Sequence, residues 1–160
     1  MTQKSKALKL RIKDTLVLYL KTQFVVIVVV TLIAWAVLSY LNIRYSLLLA
    51  CITGSLAVIP MFGLITGAVI TAVVATFDNV RFIANVPEGV EGLAVFGIYI
   101  LLNFAIDWGL TPFLSAKIVK INPFILFVVV FLGSAVFGLF GTLLAVPLLL
   151  VAKTVWEYYN

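Results

Sequence analysis

Four long uncharged stretches dominate the chain, and short groups of charged residues separate them. They cover residues 22–43, 45–77, 92–106 and 121–152. At about 1.5 Å per residue, the first stretch measures about 33 Å as a helix, which is enough to cross a hydrocarbon core of about 30 Å. Because backbone groups in lipid must be hydrogen-bonded inside the chain, the pattern predicts membrane helices.

Two of the stretches, residues 45–77 and 121–152, have lengths that suit neither one crossing nor two. Each is predicted to form two half-helices, as a re-entrant segment or a tight hairpin, the first pair meeting at residues 58–67. Glycines and prolines near the middle are interpreted as the break-makers, whose freed backbone groups would line the path of a solute: Pro60, Gly63, Gly67, Gly138, Gly141 and Pro147. The alternative is close helix packing through small residues.

The predicted fold is an all-α polytopic membrane protein with two full spans, residues 22–43 and 92–116, and two broken segments. Residues 1–21 form a basic amino-terminal segment, residues 22–153 a transporter-like membrane domain, and residues 154–160 an interfacial tail. Composition agrees with this class, because 64% of the residues are hydrophobic, 11% are charged and the mean hydropathy is +1.26. Soluble domains contain about 45–50% apolar and about 25% charged residues.

The basic residues are distributed unevenly along the chain. Six of the eleven lie in the first 21 positions. If both broken segments enter and leave on one side, nine basic residues share a side and only Arg44 and Arg81 lie on the other. Lysine and arginine accumulate on the cytoplasmic side, so both termini are predicted to be cytoplasmic. The lipid bilayer is the expected partner, and nucleic acid is not.

Catalytic chemistry is largely excluded. The chain has no histidine, which removes the usual serine–histidine and zinc chemistry, and no phosphate-binding or dinucleotide motif occurs. We therefore expect neither an enzyme nor a cofactor or metal site. Asp107 is the candidate coupling residue, because an acid within a membrane segment is a functional hypothesis by default, and Asn103 would share its helix face. The alternative is an interfacial acid at a helix end.

Five short motifs occur in order along residues 15–153: Tyr19-Leu20-x-x-Gln23, Ile59-Pro60-x-x-Gly63, Asp107-x-x-x-x-Pro112, Asn122-Pro123, and Gly133-x-x-x-x-Gly138-x-x-Gly141-x-x-x-Ala145-Val146-Pro147-Leu148. The series resembles the autoinducer-2 exporter (AI-2E) family of bacterial membrane proteins. Members normally carry a further amino-terminal membrane portion, so this chain resembles their carboxyl-terminal half. They also often have proline where this chain has Leu64.

The resemblance implies a transporter in the bacterial inner membrane. The first hypothesis is secondary export of a small polar solute or signalling molecule, and the second is sodium– or other cation–proton antiport. The third is a non-transporting assembly or interaction subunit. The chain is expected to work as a homo-oligomer or together with a missing amino-terminal half. The two broken segments are expected to meet near the bilayer midplane.

Overall fold

The computed structural model describes residues 3–59, 62–77, 90–106 and 122–159. These residues form α1 (Gln3–Tyr40), α2 (Ser46–Leu56), α3 (Phe62–Phe77), α4 (Val90–Ala105) and α5 (Pro123–Tyr159). The described part of the chain contains no strand. The all-α prediction is therefore confirmed for these residues.

Helix α1 has 38 residues and begins within the basic amino-terminal segment. The helix continues without interruption past residue 21, so no change of secondary structure separates the basic segment 1–21 from the predicted membrane domain that follows it. The helix ends in a Schellman arrangement: the amide of Asn42 donates to the Ser39 carbonyl at 3.0 Å, and the amide of Ile43 donates to the Leu38 carbonyl at 3.0 Å. Asn42 has the positive φ of 54° that this helix end requires.

Helices α2 and α3 divide the segment 45–77 where a break was predicted. Helix α2 ends at Leu56 and α3 begins at Phe62. Turns form at both ends of the connection: the amide of Ile59 donates to the Leu56 carbonyl at 2.9 Å, and the amide of Gly63 donates to the Ile59 carbonyl at 2.9 Å. Pro60, the predicted cause of the break, lies outside the described residues.

Helix α5 consists of two arms that join at Gly138, whose φ of 58° and ψ of −137° are not helical. We refer to residues 123–137 as the first arm and residues 139–159 as the second arm. Val130 of the first arm packs with Ala145 and Leu150 of the second. In a straight helix, Val130 and Ala145 would be about 22 Å apart, so the arms must fold back on each other.

The predicted break in residues 121–152 is therefore confirmed, but its position lies at Gly138 alone. Pro147, which was also interpreted as a break-maker, lies inside the second arm, and the helix continues past it to Tyr159. Phe124–Tyr159 is long and apolar enough to cross a membrane by length and composition, as is Lys6–Tyr40. Of these two segments, only Lys6–Tyr40 is an uninterrupted helix, because Gly138 divides Phe124–Tyr159.

The chain forms two compact units. Unit 1 comprises Met1–Gln23 and Ser115–Asn160, and unit 2 comprises Phe24–Leu114. The core of unit 1 contains Tyr19 and residues from both arms of α5. The main core of unit 2 brings together small and large apolar side chains from α1 to α4 and the turn after α1: Ala34, Leu38, Leu41, Ile43, Leu49, Ala50, Ala68, Ala75, Val95 and Tyr99.

Candidate functional site: two helical hairpins

The glycines of the first hairpin, formed by α2 and α3, are packing contacts and not helix breaks. Gly63 and Gly67 both lie within α3. A Cβ atom on Gly63 would overlap the carbonyl group of Leu56, and one on Gly67 would lie 2.8 Å from the Oγ1 atom of Thr53. The interpretation of Gly67 as a break-maker is therefore wrong, whereas Gly63 is the second residue of α3, and the proposed role of both residues in lining a solute path stays a prediction. Their missing side chains allow α2 and α3 to approach closely, which was the alternative.

A buried hydroxyl pair lies beside this glycine contact. The Oγ1 atom of Thr53 in α2 is 3.5 Å from the phenolic oxygen of Tyr99 in α4, and both residues are 1% exposed. Thr53 also donates to the Leu49 carbonyl at 2.9 Å. Unit 2 therefore contains a polar contact among its buried residues.

Thr71 adds a third buried hydroxyl to unit 2. It lies on α3, one helical turn after Gly67, and is 0% exposed. Its Oγ1 atom has no hydrogen-bond partner in the described part of the chain. Sequence reasoning missed Thr53, Thr71 and Tyr99 because it considered charged residues and helix breakers. Their one signal was the presence of hydroxyl groups in uncharged stretches.

Helix α4 carries two glycines in contrasting surroundings. A Cβ atom on Gly92 would overlap the Oγ1 atom of Thr76 and lie 2.8 Å from the Ala72 carbonyl oxygen, whereas one on Gly97 would meet nothing within 4 Å. Asn103, which was predicted to share a helix face with Asp107, also belongs to α4. Its side chain and the whole of Asp107 lie outside the described residues. The proposed pairing of these two residues stays a prediction.

The turn of the second hairpin depends on glycine at three positions. Gly138 has a backbone conformation that L-residues with a side chain rarely adopt. A Cβ atom on Gly141 would overlap the carbonyl oxygen of Gly133, and one on Gly133 would lie 2.8 Å from the carbonyl oxygen of Gly141. Gly141 is therefore a close-packing residue rather than a break. The hydroxyl of Thr142 donates to the Gly138 carbonyl at 3.0 Å, which satisfies one acceptor at the turn.

The tip of this hairpin is apolar and exposed. Val136, Phe137, Leu139 and Phe140 are between 64% and 75% exposed. A first arm of 15 residues is about 22 Å long, which is shorter than a hydrocarbon core of about 30 Å. Exposed apolar side chains on arms of this length are typical of a segment surrounded by lipid or by other membrane helices.

Long apolar helices, two helical hairpins and glycine-mediated close contacts are typical of helical membrane proteins. Comparison with known proteins gives the family. The profile described as "AI-2E family transporter" matches residues 1–160, and the chain belongs to this family. The resemblance stated from the five motifs is thereby confirmed.

Two curated relatives are similar to most of the chain. It is 28% identical over 148 residues to "Putative transport protein YrrI" of Bacillus subtilis (strain 168), covering 92% of this chain and 39% of that protein. It is 27% identical over 143 residues to "Putative transport protein" of Thermotoga maritima, covering 88% of this chain and 39% of that protein. The chain thus spans about two fifths of the length of these relatives. No solved structure matches it significantly.

Proposed function

We propose that the chain takes part in secondary export of a small polar solute or signalling molecule across the bacterial cytoplasmic membrane, with both termini in the cytoplasm. Membership of a transporter family supports transport rather than catalysis. The observation that carries the proposal is the hairpin at Gly138, because interrupted membrane helices form solute sites in many transporters.

The length of the second arm supports a re-entrant position for this hairpin. Lys153 and the aromatic residues that follow it suit the membrane–water interface. Gly138 precedes Lys153 by 15 residues, or about 22 Å of helix, so a perpendicular arm ends about 8 Å before the opposite edge of the hydrocarbon core. The turn would then lie inside the membrane.

A turn at this depth must face protein or water, because an unpaired backbone group in lipid costs several kcal/mol. The first amides of any helix have no acceptor within that helix, and they carry the positive end of its dipole. At the start of the second arm these amides belong to Leu139, Phe140 and Gly141. They suit a carbonyl, hydroxyl or anionic oxygen of a polar solute.

A matched pair of substitutions tests this proposal. Gly141→Leu places a side chain where the Gly133 backbone lies, whereas Gly97→Leu adds the same side chain where no atom lies within 4 Å. Gly92 is unsuitable as a control because Thr76 occupies the space beside it. Cells that express the protein containing either variant are compared for extracellular autoinducer-2, with membrane abundance measured in parallel.

We expect Gly97→Leu to retain export and Gly141→Leu to lose it at equal abundance. Equal export by both variants would contradict the proposed role of the hairpin. Cation–proton antiport is distinguished in everted vesicles, where added Na⁺ would collapse a pH gradient reported by acridine orange. A protein that exports nothing and leaves the gradient intact would fit the assembly subunit instead.

A further inference from the structure

In unit 1, the first turns of α1 pack against the end of α5 in an antiparallel register. Arg11 lies over the ring of Tyr158, with 5.5 Å between the guanidinium carbon and the ring centroid. Thr15 and Thr154 follow, with their hydroxyl oxygens 3.5 Å apart. The residue numbers of each pair add to 169, so Leu10 to Lys13 are level with Trp156 to Tyr159.

The hydroxyl of Tyr158 also donates to the Lys4 carbonyl at 3.1 Å, which extends the contact to the beginning of α1. Arg11, Thr15 and Tyr19 recur every four residues and form the face that meets α5. Tyr19 is 8% exposed and packs in the unit 1 core. This end of α1 is therefore fixed on α5 and does not project as a free tail.

A second face of the same helix carries three lysines. Lys6, Lys9 and Lys13 are spaced by three and four residues, which places them in one row on the side of α1 opposite Arg11, Thr15 and Tyr19. All three are exposed, and none forms an ion pair with another described residue. Toward the middle of α1 the row continues into the exposed apolar side chain of Leu20, which is 62% exposed.

The aromatic residues at the end of α5 indicate the depth of this lysine row. Trp156 and Tyr159 are 71% and 74% exposed, as expected for an aromatic belt at the headgroup level. By the register, Trp156 is level with Lys13. The row Lys6–Lys9–Lys13 therefore begins at the lipid headgroups and extends away from the hydrocarbon core.

We propose that Lys6, Lys9 and Lys13 form a binding surface for anionic phospholipid headgroups, fixed in place by the contact between α1 and α5. Each basic side chain near an anionic membrane surface contributes about 1 kcal/mol, or about fivefold in relative lipid binding. A rigid row of three lysines at headgroup depth would select phosphatidylglycerol over phosphatidylcholine. Arg11 contributes less, because its guanidinium lies over Tyr158.

Trp156 provides a local probe of this surface. In a Trp35→Phe/Trp108→Phe background, the protein is reconstituted into bilayers with equal amounts of phosphatidylglycerol and phosphatidylcholine. Bromine is placed on the acyl chains of either one lipid or the other, so that bilayer charge is unchanged. The ratio of the two quenching efficiencies reports which headgroup lies beside Trp156.

We expect brominated phosphatidylglycerol to quench Trp156 more strongly than brominated phosphatidylcholine does. The double variant Lys9→Gln/Lys13→Gln should lower the ratio of the two quenching efficiencies severalfold, toward one. Arg44→Gln/Arg81→Gln removes the same charge elsewhere and should retain the preference, as should Lys9→Arg/Lys13→Arg. A ratio near one in the unmodified background, or an equal fall in both glutamine variants, would overturn the proposal. Unchanged helical circular dichroism shows that each variant is folded.

Discussion

Gly138→Ala isolates the conformational requirement of the second hairpin. A Cβ atom at this position would meet nothing within 4 Å, so no steric overlap accompanies the substitution. What remains is the backbone: φ of 58° with ψ of −137° lies in the mirror image of the extended region, which glycine occupies and other residues avoid. Holding a side-chain-bearing residue there costs about 1–3 kcal/mol.

Gly97→Ala is the matched control, because Gly97 lies within α4 and also has open space around it. Alanine is favoured over glycine in a helix by about 0.8–1.0 kcal/mol. The same chemical change should therefore destabilise the protein at position 138 and leave it unchanged or slightly stabilised at position 97. Gly138→Asn adds a further distinction. Asparagine tolerates the left-handed helical region, where ψ is positive, but not the conformation of Gly138.

The free energy of unfolding is measured by titrating dodecyl sulfate into maltoside micelles and following helical circular dichroism. We expect Gly138→Ala and Gly138→Asn to lower it by similar amounts, about 1–3 kcal/mol. Recovery of stability in the asparagine variant would mean that the turn adopts an ordinary left-handed helix end. If Gly138→Ala and Gly97→Ala had equal stability, the hairpin conformation described for Gly138 would be wrong.

Three further predictions concern other parts of the chain. If Asp107 is the coupling carboxylate, Asp107→Asn should abolish transport without lowering membrane abundance, and surviving activity would favour an interfacial acid. In a Cys51→Ser background, an impermeant maleimide should label a cysteine at Ala84 from outside and one at Val119 from inside; labelling from the same side would refute the topology. Tyr158→Phe removes one exposed hydrogen bond but keeps the ring, so the free energy of unfolding, measured by thermal denaturation, should fall by no more than about 1 kcal/mol. A larger loss would show that the hydroxyl contributes more to stability.

The breaks in the helices could be predicted from the sequence because they depend on local chemistry. Proline removes an amide hydrogen, and glycine permits a positive φ, so Pro60 and Gly138 lay within stretches whose lengths already required an interruption. The sequence could not show whether Gly63, Gly67 and Gly141 belong to helix breaks or to close helix contacts. The absence of a Cβ atom permits both an unusual turn and a close helix contact, and only the neighbouring backbone distinguishes them.

Other features required knowledge of which distant residues face each other. Thr53 and Tyr99 are 46 positions apart, and no periodicity relates them. The contact between Arg11 and Tyr158 likewise depends on the packing of α1 on α5, and the residues of neither helix alone predict it. Pro147 shows the opposite case. Its local chemistry predicted a break, yet packing of Ala145, Val146 and Leu150 in the unit 1 core accompanies a helix that continues past it.

We propose that the second hairpin enters and leaves the membrane on the cytoplasmic side. Single cysteines in place of Asn122 and Glu157, in the Cys51→Ser background, test it most directly because these residues are exposed and lie at opposite ends of α5. Right-side-out and inside-out vesicles are treated with an impermeant maleimide. We expect both positions to react only in inside-out vesicles. Reaction of the two positions from opposite sides would mean that α5 crosses the membrane, and would contradict the re-entrant hairpin.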